Sequence, residues 1–243
     1  MQETMLTKAI PADRPSRWAL ASELIARWFG DAPQSIDLGS ARVDIATTER
    51  RLGFALPASL REWYLHSGSR YDVWNVQDHL VPLSELCVEE DRLVFFRENQ
   101  GVVHWSIPIS TLSLPDPPVT VSDPSGVGLH HGEAPSISEF ALQMLCLSAK
   151  FSALDLPRAN GQVTDNAILA FGQHLPRLPF SDLHWPPFPT RLYGNESLLV
   201  EIDSLTWVWV TAIDAEAFAL AARLAEEAGV EWESVHQFHG AAP

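Results

Sequence analysis

The apolar positions of this chain change spacing several times, and each change marks an element. Between Ser16 and Gly30, Trp18, Ser22, Ile25 and Phe29 share one helical face. Glu23 and Arg27 stand at i,i+4, and Gly30 suits the end. This predicts an accessory helix that packs Trp18 and Trp28 onto a main domain. Ile45 to Gly68 reads as two short helices with a break. Asp44 is placed to cap the first, Ile45, Thr48, Glu49 and Leu52 follow at helical spacing, and Gly53 fits the residue after its end. Pro57 suits the first turn of the second. Leu60, Trp63 and Tyr64 form its apolar stripe, and Gly68 stops it.

From Leu80 to Val121 the pattern becomes that of strands. Arg92 to Phe96 and Val102 to Ile107 flank a Glu-Asn-Gln-Gly turn, which predicts a hairpin. Pro117 and Pro118 interrupt before a short strand, Val119 to Val121, and Asp123 to Pro135 reads as a polar, Gly-rich loop. Ser136 and Glu139 form a capping box ahead of Ile137, Phe140, Ala141, Met144, Leu145, Ser148 and Phe151 at i, i+3, i+4 spacing. Leu52, Phe54, Leu56, Leu60, Trp63, Tyr64, Phe95, Trp105, Phe140 and Leu145 are expected to share one core.

Residues 155–189 carry six prolines, a density that disfavours regular structure. Phe171, Phe180, Trp185 and Phe188 are too apolar for a free linker, so a docked connector is expected. Arg191 to Tyr193, Ser197 to Ile202 and Thr206 to Thr211 alternate as a meander, and Asp214 caps a helix over Ala215 to Ala228, ended by Gly229. This segment either extends the central sheet or forms a small second lobe. The fold class is α+β with segregated elements.

The motifs of the central region resemble the SUKH superfamily, the Smi/Knr-like proteins. They are Glu49, Arg51 to Phe54, Leu56-Pro57, Trp63-Tyr64 and Gly68, followed by His79 to Leu86, Phe95 to Trp105, Asp116 to Val119 and the helix from Ile137. His66-Ser67-Gly68 departs from the Asn-Gly pair common in that family. The resemblance covers roughly residues 36–155. It implies a SUKH-like domain with two N-terminal helices, a mainly antiparallel sheet and a closing helix. The domain reading is then 1–35 accessory helix, 36–155 SUKH-like domain, 156–189 Pro-rich connector and 190–243 C-terminal strands and helix.

Charge narrows the partners. The 243 residues hold 16 Lys and Arg against 31 Asp and Glu, a net charge of −15. Residues 1–100 carry 11 basic against 15 acidic, and 101–243 carry 5 against 16. Nucleic acid is an unsuitable partner for such a surface, whereas a basic protein would be steered to it. The mean hydropathy is −0.01, and no apolar run reaches the roughly 20 residues of a membrane span. No secretory signal is visible at the N-terminus. Cys87 and Cys146 give no disulfide framework, and a reducing cytoplasm is expected.

Candidate chemistry is sparse. Ser125-Gly126-Val127-Gly128 lacks a nucleophile elbow, and its glycines lack the spacing of a phosphate loop. His130, His131 and Glu133 sit together, as do His236 and His239 near Glu231 and Glu233, but neither set supplies three convergent ligands on a rigid element. Asp116 and Asp123 bracket a Pro-Pro step and read as turn residues before an acid–base pair. Trp105, Trp207 and Trp209 read as sheet packing before a ligand cage.

The expectation is therefore a protein-binding module, neither enzyme nor cofactor carrier, with no catalytic or metal residues. The SUKH resemblance implies an immunity protein that binds and neutralises a bacterial polymorphic toxin domain. The alternatives are a Smi/Knr-like regulatory adaptor and, from another class, a hydrolase or metalloenzyme using His130, His131 and Glu133. Expected contacts to a basic partner are Glu89, Glu90 and Asp91, a like-charge run, with Asp123 and Glu133 in the Gly-rich loop. A solvated acidic face is the plainer account of the same residues.

Overall fold

The computed structural model describes residues 9–31, 37–122, 129–183 and 189–236. Among them are seven α-helices and two antiparallel sheets, a mixed α+β architecture. The chain forms two compact units, one spanning Pro11–Phe151 and the other taking Met1–Ile10 and Ser152–Pro243.

The first unit opens with α1 (Arg14–Phe29). Asp13 accepts from Ser16 N, and Gly30 closes the helix at φ 73°. Trp18, Leu24 and Trp28 are buried, and α1 packs on three helices of the same unit, α3 (Ala58–Ser67), α4 (Tyr71–Trp74) and α5 (Ile137–Ser148). It is thus part of the unit's core.

Helix α2 (Leu38–Leu52) starts two turns earlier than its apolar spacing suggests. Asp37 caps it, its Oδ1 accepting from Gly39 N and Ser40 N, while the expected cap, Asp44, lies mid-helix. The reason is compositional: Gly39 and Ser40 are poor helix formers and hide that Leu38 and Ala41 continue the spacing of Ile45, Thr48 and Leu52. Gly53 ends α2 in the left-handed region at φ 81°, its N–H donating to Glu49 O. Pro57 precedes α3, where Leu60, Trp63 and Tyr64 are buried.

The first sheet comprises β1 (His79–Leu80), β2 (Cys87–Glu89), β3 (Arg92–Arg97), β4 (His104–Pro108), β5 (Val119–Ser122) and β6 (His130–Ala134). The order is β1-β3-β4-β5-β6, with β2 also on β3. The expected Gly-rich loop is therefore shorter, because 130–134 pairs with β5. A bulge between Val94 and Phe96 shifts the register. It lets consecutive Phe95 and Phe96 both reach the core, which strict alternation forbids. Helix α5 begins at Ser136, whose Oγ accepts from Glu139 N. Glu139 itself turns to Arg17 at 2.7 Å.

The core of this unit is aromatic. The Trp63 ring centroid lies 4.9 Å from that of Trp74, 6.1 Å from Phe95, 5.9 Å from Phe96 and 6.3 Å from Phe140. Trp105 joins through Phe96 and Phe140, both at 5.7 Å. Of the ten expected core residues, eight are buried, while Leu52 and Phe54 are half-buried.

The second unit holds β7 (Arg158–Gln162), α6 (Asp165–His174), β8 (Arg191–Asn195), β9 (Leu198–Asp203), β10 (Trp207–Ala212), α7 (Ala215–Glu227) and β11 (Glu231–His236). Its sheet runs β11-β7-β10-β9-β8, separate from the first. The expected meander and helix are present, and they build a sheet of their own. The expected connector over 156–189 is not irregular throughout. Its prolines stand at 157, 176, 179 and beyond, which leaves 158–175 free to form β7 and α6. Thr164 caps α6 by accepting from Ala167 N. Phe171, Val200, Ile202, Val210, Phe218 and Ala221 share the core of this unit.

Candidate functional site

The acidic run Glu89, Glu90 and Asp91 closes the β2–β3 hairpin. Glu89 pairs with Arg92, so Glu90 and Asp91 form a two-residue turn. Both have left-handed backbone, φ 47° and 62°. Such turns favour Asn-Gly, because a side chain at positive φ is strained. Here two carboxylates occupy the tip. The turn is held from behind, since Ile109 N donates to Asp91 O at 2.9 Å. All three acidic residues are exposed.

The three differ in their neighbours. Glu89 Oε1 accepts from Arg97 at 3.3 Å and from the Cys87 thiol at 3.2 Å. Glu90 lies 3.8 Å from His130 Nε2, and the His130 ring stands 5.9 Å from that of His104. Burial pushes the pKa of both imidazoles down, and Arg92 lowers His130 further. At neutral pH His130 is therefore uncharged and does not cancel Glu90. Asp91 makes no side-chain hydrogen bond or ion pair among the described residues. The turn thus presents two uncompensated charges on a backbone that cannot easily rearrange. Burial, then Glu89, push the Cys87 thiol up, away from the thiolate a nucleophile needs.

The remaining expected contacts fare differently. Glu133 is 2% exposed and accepts from Trp105 Nε1 at 3.1 Å. It is a buried acceptor and offers no surface to a partner. Asp123 lies outside the described residues, as do Ser125 to Gly128, Trp185, Phe188 and His239. His130, His131 and Glu133 stand on one edge strand; alternation parts His130 from His131, and a register shift at Glu133 buries its side chain while His131 stays exposed, so they do not converge. Among the described residues no three His, Cys, Asp or Glu side chains are grouped to hold a metal ion. His236 Nε2 is 2.5 Å from Asp155. Asp116 is structural: it accepts from Ser138 N and Ser138 Oγ at 3.1 and 2.5 Å, and Arg17 reaches it at 3.3 Å.

Sequence reasoning missed a second feature. A groove of about 630 Å³ runs beside α2. Buried Tyr64 and Leu80 lie at its base, with Leu83 beside them, and Tyr71, 62% exposed, stands at its margin. The available signal was slight: Val43 falls off the stripe formed by Leu38, Ala41, Ile45 and Leu52.

No protein-family model, no curated protein and no solved structure matches this chain. No helix among the described residues is long and apolar enough to cross a membrane. The function is therefore argued from geometry and charge.

Proposed function

We propose that this chain is a SUKH-type protein-binding module: an immunity protein that binds and blocks a basic toxin domain in the cytoplasm. One observation carries the reading. The β2–β3 turn presents Glu90 and Asp91 exposed and uncompensated on a backbone of restricted freedom. Charges held this way need no ordering when a cationic surface arrives, which favours fast, steered association. The net charge of −15 extends the same field.

Other features support it. The α2–α3 pair, the antiparallel sheet and α5 follow in that order, with α1 and α4 in addition, and this α+β order is compatible with the SUKH resemblance. Among the described residues, the Cys87 thiol is held protonated, and Asp116 is tied into the α1–α5 network. We read the chain as a binder on that account.

The test has two arms. Co-expression with a toxin encoded beside this gene should rescue cell growth. Replacing Glu90→Lys and Asp91→Lys should slow association with that toxin and flatten its salt dependence, with less effect on dissociation. If no toxin gene lies nearby and the native host yields no partner in pull-downs, the immunity reading fails.

A further inference from the structure

Helix α2 is unusually bare. It has 15 residues, yet only Ile45 and Thr48 are buried. Leu38 and Val43 are 47% and 63% exposed. Globular helices normally bury a continuous stripe. The groove lies along this helix. Asp37, Ala41, Asp44, Thr48 and Arg51 line it, recurring every three or four residues and so sharing one helical face. From Asp37 to Arg51 that face is about 21 Å long at 1.5 Å per residue. An extended peptide of roughly six residues spans about the same distance. The volume also falls within the roughly 300–1,000 Å³ of typical binding clefts.

The lining indicates what fits. Tyr64, Leu80 and Leu83 give an apolar surface, while Asp37 and Asp44 place two carboxylates beside it. Asp44 makes no side-chain hydrogen bond or ion pair among the described residues. Arg51 is the cation of the lining, and its guanidinium donates to Leu83 O at 3.0 Å. Exposed Tyr71 supplies an aromatic face on which a cation can rest.

We propose that this groove takes an extended segment of a protein partner. The segment sets an arginine or lysine between Asp44 and Tyr71 and an apolar side chain against Leu80 and Leu83. This rests on the protein-binding reading above and adds a second contact surface to the acidic turn. The turn steers the encounter; the groove reads side chains.

The test uses the full chain and defined probes. A capped hexapeptide alternating leucine and arginine is titrated by calorimetry and by amide chemical shifts, beside the same peptide with glutamate for arginine. The basic peptide should bind and shift amides of α2 and of Gly68 to Tyr71. Asp44→Lys and Tyr71→Ala should each weaken it about tenfold, with melting temperature unchanged. Three outcomes overturn the groove: no binding, equal binding of the acidic peptide, or shifts confined to Glu89–Asp91. Shifts in α2 that grow with protein concentration alone would mark a self-interface and also overturn it. The reading beneath it fails separately, by the toxin co-expression and pull-down described above. Capture of a partner that Asp44→Lys leaves intact would refute the groove and keep the reading.

Discussion

The indole N–H of Trp105 donates to Glu133 at 3.1 Å across strand β5, and both side chains are buried. Glu133 reaches this position because β6 carries an extra residue where the register shifts between Val119 and Thr120. A bulge re-aims one side chain, and here it turns a carboxylate inward from an edge strand. The pair ties β4 to β6 independently of the ladder hydrogen bonds.

That pairing predicts an asymmetry between substitutions. Glu133→Gln keeps a carbonyl acceptor for the indole and should cost under about 1 kcal/mol. Glu133→Ala leaves the N–H buried and unpaired and should cost about 1–3 kcal/mol. Urea unfolding at neutral pH, followed by tryptophan fluorescence, separates the two. Equal midpoints would show that the bond contributes little.

Trp63 is the hub of the aromatic core, and its buried indole N–H has no hydrogen-bond partner among the described residues. Trp63→Ala should cost about 3–5 kcal/mol. Trp63→Phe removes the unpaired donor along with part of the ring and should cost about 1–2 kcal/mol. Chemical denaturation of both variants checks the ranking, and an alanine variant melting with the parent would refute the hub.

Much of the first unit is legible in the sequence, because its elements are marked by strong local signals. Gly53 ends α2 in a left-handed conformation, Ser136 caps α5, and Leu60, Trp63 and Tyr64 form a stripe that packing obeys. What escapes is what periodicity cannot encode. The first half of α2, with Gly39 and Ser40 in its first turn, is helical because Asp37 caps it. The β6 bulge depends on pairing with β5. Strand β7, with Asn160-Gly161 inside it, looks like loop sequence until its partners are known. A β-carbon on Gly161 would sit 2.3 Å from Glu231 O, so the strand spends a featureless residue on closeness to β11. For the candidate site, the exposed turn was readable as a charge run, the inward Glu133 was not, and the groove left no positive pattern.

The left-handed turn at Glu90 and Asp91 should respond to chemistry that suits it. Replacing the pair by Asn-Gly should raise stability by about 1–2 kcal/mol, since non-glycine residues are disfavoured there by about that much. The same double variant removes both tip charges, so association with a basic partner should slow. Thermal melting and stopped-flow association on one preparation test the opposed effects together; a melting temperature that falls would contradict the turn assignment.

Stability should decline as pH drops through the histidine range. His104 and His130 have folded pKa values pushed below the usual 6.5, with burial the main cause. Above about pH 6.5 both are neutral folded and unfolded, so neither contributes a slope. Below it the unfolded chain takes up protons that the folded chain refuses, and stability falls. The window opens at about 6.5 and closes at the lowered folded values. His104→Gln with His130→Gln should flatten melting temperature against pH between about 7 and 5. A curve unchanged by the double variant would place the pH dependence elsewhere.

The bare surface of α2 bears on how such a protein diversifies. Substitutions at exposed helical positions away from caps and networks usually change stability by no more than about 0.5 kcal/mol. With only Ile45 and Thr48 buried, and Glu49 and Arg51 tied to Leu56 N and Leu83 O, the remaining exposed positions of this helix can be rewritten while the aromatic core goes on specifying the fold. A lineage that must track a changing adversary gains from such separation. If α2 forms the contact surface proposed above, that surface can drift while selection for folding scarcely notices.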